Sequence, residues 1–110
     1  MKTTTTSANY VSKFVKNFCV TVGIYDAKTQ IHIGSTKTWH SCRAAFTAEH
    51  LALCEAEHFV LHEIAMPRWC EKYLLTEFQF LELNSDEAIR PLESFTFKVE
   101  SVEVTECQTR

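Results

Sequence analysis

Every fourth residue from Ala48 to Val60 is small or compact: Ala48, Ala52, Ala56 and Val60. At 3.6 residues per turn those side chains stack into one ridge, and a ridge of alanines lets a helix lie close on a sheet. Leu53, Phe59 and Ile64 flank it. The pattern predicts a long helix from about Ala44 to Ala65, with Thr47 or Ser41 as N-cap. Pro67 forbids its continuation past Met66, or opens a second short helix through PRWCEKYLL. Apolar residues run nearly all round this helix, because Leu61 and Cys54 fall opposite the ridge and Leu51 stands apart from it. A helix of that kind is covered on more than one side, so the expectation is a homodimer whose interface includes it.

Around the helix the period changes from 3.6 to 2. Phe18, Val20, Val22 and Ile24 alternate with Cys19, Thr21, Gly23 and Tyr25, the signature of a half-buried strand. Asp26 to Thr29 is a polar turn, and Gln30 to Trp39 returns with Ile31 and Ile33 on the apolar side, giving a hairpin. After the helix, residues 73 to 83 (YLLTEFQFLEL) and 95 to 105 (FTFKVESVEVT) read as two further long strands. In the last one Phe95, Phe97 and Val99 share one parity while Val102 and Val104 share the other, which calls for a bulge near Glu100 and Ser101. The predicted class is α+β: an antiparallel sheet in the order ββαββ packed on one central helix.

The 110 residues suit a single domain, with residues 1 to 8, low in complexity, expected to be a flexible N-terminus. Five cysteines, odd in number and without a Cys-x-x-Cys pair, point to free thiols in a reducing compartment. With no apolar leader and no apolar run of membrane length, the expected location is cytoplasmic, with no membrane partner.

Charge is unevenly spread. Residues 1 to 43 carry six basic side chains and one acidic, a balance of +5, while residues 44 to 110 carry five basic and thirteen acidic, a balance of −8. Six glutamates, Glu77, Glu82, Glu93, Glu100, Glu103 and Glu106, are expected to give an acidic sheet face able to meet a basic protein. The leading expectation is therefore a small non-enzymatic interaction or inhibitor module, of the kind carried by viruses or mobile elements. As an alternative, the basic hairpin could bind nucleic acid, with Lys28, Lys37 and Arg43 on phosphates and Tyr25 and Trp39 on bases.

A second alternative is enzymatic. Glu55, His58 and His62 share a helical arc, and Glu-x-x-His can hold a divalent metal; no other cofactor is indicated, since two glycines leave no phosphate-binding loop. His40 and Cys42, in WHSC, are a further pair of soft ligands near the helix start at Glu49 and His50. A hairpin leading into a helix that opens Ala48-Glu49 resembles the front of the cytidine deaminase fold, and PRWCEKYLLTEF is similar to its second half. That resemblance implies zinc-activated water. Thr47, however, stands where the family has a His or Cys ligand, and Arg68 and Glu71 occupy the two cysteine places. The segment also resembles the ribonuclease H fold, which implies Glu49 and Asp86 as carboxylate ligands, although the first strand supplies no Asp.

Overall fold

The computed structural model describes residues 2–73, 76, 79 and 90–106. Strand β1 (Lys2–Thr5) is followed by the long hairpin strands β2 (Val11–Asp26) and β3 (His32–Ala44). Helix α1 (Ala45–Val60) passes through a π turn at Leu61–Ala65 into α2 (Met66–Tyr73). A 3-10 turn at Arg90–Ser94 then leads into β4 (Phe95–Glu106). The fold is α+β, with a four-stranded antiparallel sheet in the order β1-β4-β2-β3. Among the described residues the chain order is three strands, helix, strand, rather than ββαββ. The strand expected over 73 to 83 falls largely outside the described residues, and Tyr73 itself ends α2.

The alanine ridge does what its spacing predicts. Ala45, Ala48, Ala52 and Ala56 are fully buried and meet Phe18, Val20, Val22, Val102 and Val104 from β2 and β4. Because the helix residues fully buried in this cluster are all alanines, most of the volume between the layers is filled from the sheet side. Beyond Val60 the buried position comes five residues later, at Ala65, where the Met66 N–H reaches back to the Leu61 carbonyl. That π turn inserts one residue and keeps a small side chain over Ile24. Pro67 does not end the helix as expected: it is the second residue of α2, which follows the π turn without a break.

Other details depart from expectation. Neither Thr47 nor Ser41 caps α1; Ala44 does, in extended conformation and without a side-chain bond. The Ala45 N–H is instead taken by the Tyr10 carbonyl at 2.9 Å. Residues 2 to 5, expected to fray, pair with residues 103 to 106 of β4, and the Thr6 N–H bonds the Val102 carbonyl at 2.8 Å. Ile31 and Ile33 are exposed rather than on the apolar side. Ile33 is the extra residue where the register slips from Ile24↔Gly34 to Tyr25↔His32, and Ile31 precedes the strand.

Two features of the strands were legible. The register between β2 and β4 slips from Thr21↔Ser101 to Val22↔Val99, so Glu100 is the bulged residue. The turn after β2 is held by Asp26, whose carboxylate accepts the N–H groups of Lys28 and Thr29, each at 2.9 Å, and the Thr29 hydroxyl at 3.1 Å. The bonds from Thr29 above all, then Lys28, hold the Asp26 carboxyl below its ordinary range. Among the described residues no helix is long and apolar enough to cross a membrane.

Candidate interaction surface

β3 is the last strand of the sheet, and among the described residues no strand pairs with its outer edge over its 13 residues. Registered against β2, its side chains sort by parity. Thr36, Thr38 and His40 lie opposite Val22, Val20 and Phe18, on the side covered by α1; Lys37 and Trp39 lie opposite Thr21 and Cys19, on the open side. His40 is buried, with Nε2 2.8 Å from the Thr38 hydroxyl and 3.9 Å from the Glu55 carboxylate. The Thr36 hydroxyl is buried and has no hydrogen-bond partner among the described residues. An orphaned hydroxyl on an edge strand is worth noting, because buried polar groups are ordinarily satisfied.

The Glu55 contact fixes which flank of α1 overlooks β3. On that flank Leu51, Glu55, His58, Phe59 and His62 line a groove of about 570 Å³, with the His58 and His62 rings 4.3 Å apart. Leu51 and Phe59 are 42% and 46% exposed. The opposite flank faces β4, where Glu57 lines a smaller cavity with Leu92, Glu93, Phe95 and Phe97. A helix that buries only alanines and a valine thus leaves large apolar side chains in solvent on the β3 side. A further exposed apolar group lies at the end of the sheet remote from the β2–β3 turn. There β2 residues 12 to 15 bulge opposite Arg43 alone, leaving Phe14 and Val15 exposed.

The open face of the sheet is charged but mixed. Glu100 lies 3.7 Å from His32, whose ring packs edge-on to Tyr25 at 5.2 Å, and the Lys98 ammonium sits 5.0 Å from the Tyr25 ring. Gly23 makes room for this cluster, since a Cβ there would collide with the Glu100 carboxylate and the Tyr25 ring. Beside it, Cys19 lies between Trp39 and Glu103 in the sheet. Burial raises the Cys19 thiol pKa, with the Lys37 charge opposing.

Of the six expected acidic-face residues, Glu100 and Glu103 share this open face, whereas Glu93 lies on the helix-covered side beside Glu57. Glu77, Glu82 and the side chain of Glu106 lie outside the described residues. Lys37 and Lys98 stand among the two glutamates, so the face is not uniformly acidic. The basic set is dispersed as well. Lys28 sits in the turn at one end of the hairpin, while Arg43, bonded to the Ser12 carbonyl at 3.2 Å, sits at the other. Thirteen extended residues separate those ends by roughly 40 Å.

Glu55, His58 and His62 do share the α1 groove, as their spacing predicts. Among the described residues, however, no three His, Cys, Asp or Glu side chains converge at metal-binding distance. His40 and Cys42 do not act together: His40 faces Glu55, and the Cys42 thiol donates to the Ala44 carbonyl at 3.4 Å. Sequence reasoning missed the edge position of β3, and the one available signal was that Leu51 stood apart from the alanine ridge. No family model matches the chain, and no curated protein or solved structure does either.

Proposed function

We propose that this chain is a non-enzymatic protein-interaction module whose working surface is the side of the molecule formed by the β3 edge and the adjoining flank of α1. The observation that carries this reading is the coincidence of two incomplete surfaces on one side. The 13-residue strand has main-chain groups on its outer edge with no strand partner among the described residues. Directly beside it, Leu51 and Phe59 stand exposed on the helix. Strand edges recruit other strands, and contiguous exposed apolar residues mark contact surfaces. Together they provide main-chain hydrogen bonding and apolar burial for one ligand.

The nucleic-acid reading has less support, since Lys37 and Lys98 are interleaved with Glu100 and Glu103 and the remaining cations lie at opposite ends of the hairpin. The test is site-specific photocrosslinking. A benzophenone side chain at position 51 should give a discrete adduct that Phe59→Glu abolishes, while the same group at position 28 should give none. Absence of any adduct at position 51, or equal labelling from position 28, would overturn the assignment of this surface.

A further inference from the structure

Resting on that reading, we infer that the occupant of the β3 side is a second copy of this chain, joined by antiparallel pairing of β3 with β3 about a two-fold axis at Thr38. The midpoint of His32–Ala44 is residue 38, so this register alone pairs the strand with its copy over its entire length. Each residue then faces the one whose number makes an equal and opposite step from Thr38. A closed two-fold of this kind is the commonest oligomer geometry and requires a self-complementary surface.

Three features of β3 and α1 meet that requirement. First, Thr36 falls opposite His40 of the second copy, both on the helix-covered side of the sheet. Directly opposed side chains lie within about 5.5 Å at Cβ, so a rotation about the Thr36 Cα–Cβ bond turns its buried hydroxyl, which has no hydrogen-bond partner among the described residues, toward that imidazole. Second, Lys37 falls opposite Trp39 of the second copy on the open face, placing a cation beside an exposed indole and keeping the two Lys37 ammonium groups out of direct opposition. Third, Glu55 is 3.9 Å from His40, two residues from the axis, so the middle of the α1 flank lies near its symmetry mate. That flank carries Leu51 and Phe59 for apolar contact and Glu55, His58 and His62 as polar groups.

The experiment combines sedimentation equilibrium on the full chain across the micromolar range with disulfide trapping. The expected result is twice the 12.7 kDa chain mass, reverting to the single mass in Phe59→Glu with an unchanged circular dichroism spectrum. Thr38→Cys should oxidise to a covalent dimer, because that residue faces its own copy. Ser35→Cys should not, since six residues of offset place it roughly 20 Å from its copy. If Phe59→Glu fails to fold, the Thr38→Cys and Ser35→Cys pair still decides the register. A wild-type chain that stays monomeric would overturn the inference while leaving the interaction-module reading intact wherever position 51 still crosslinks to a different protein. A dimer trapped equally by Ser35→Cys, or by neither variant, would place the second copy elsewhere.

Discussion

The two sides of helix α1 reverse the usual distribution of size. Toward the sheet it presents Ala45, Ala48, Ala52, Ala56 and Val60, all fully buried; away from it, Phe46, Leu51 and Phe59 are left in solvent. Most amphipathic helices bury their largest apolar residues, and here the sheet supplies that bulk through Phe18 and the valines of β2 and β4. The contrast teaches that the alanines set a distance while the exposed residues are available for a contact made outside the chain. The two ends of the sheet differ in the same sense. Among the described residues, four-residue β1 covers only the end of β4, whereas β3 presents a full-length edge beside the exposed helix flank.

Substitutions can break this contrast in order of size. Phe18→Ala, at the centre of the buried cluster, should cost about 3–5 kcal/mol in denaturant unfolding, because the alanines facing it cannot collapse to fill the space. Ala52→Leu should destabilise by about 1–3 kcal/mol, since the helix would have to rise off the sheet. A loss as small as that of a surface change would mean the ridge is not close-packed. Asp26→Asn probes a site remote from both helix faces. The folded-state Asp26 pKa is depressed below its ordinary 3.8, so its stabilisation is present above that value and disappears as pH falls through the folded pKa. The variant should show a flatter acid limb in thermal melts recorded against pH, and an identical limb would show that the turn contributes nothing there. Leu51→Ser should change unfolding free energy by no more than about 0.5 kcal/mol, while weakening any complex made through the β3 side. A large stability loss in dilute, monomeric protein would mean that Leu51 belongs to the core.

What could be read in advance followed short-range periodicity. Residues four apart on a helix share a face whatever lies around them, so the burial of Ala48, Ala52, Ala56 and Val60 was fixed by spacing. The parity change between Val99 and Val102 required an extra residue, and Glu100 is that residue. The strand at Lys2–Thr5 left no such mark. Its threonines are compatible with β structure, but they form a strand because residues 103 to 106 offer them an edge from the far end of the sequence. The groove residues Glu55, His58 and His62 were grouped correctly by helical geometry, whereas the pairing of Glu55 with His40 depended on how helix and hairpin cross.

Sequence alone therefore determined the α+β class, the sheet-facing stripe of the helix, the hairpin and the bulge, each a consequence of local period and steric shape. Tertiary structure decided how the charges combine. The chain is basic in its first 43 residues and acidic thereafter, yet β4 inserts beside β2, setting Lys98, Glu100 and Glu103 next to Tyr25, His32 and Lys37. Strand order also made β3 an edge and placed Leu51 and Phe59 beside it. Which strands become neighbours is settled by burial summed over contacts distant in sequence, a quantity that no local window of residues contains.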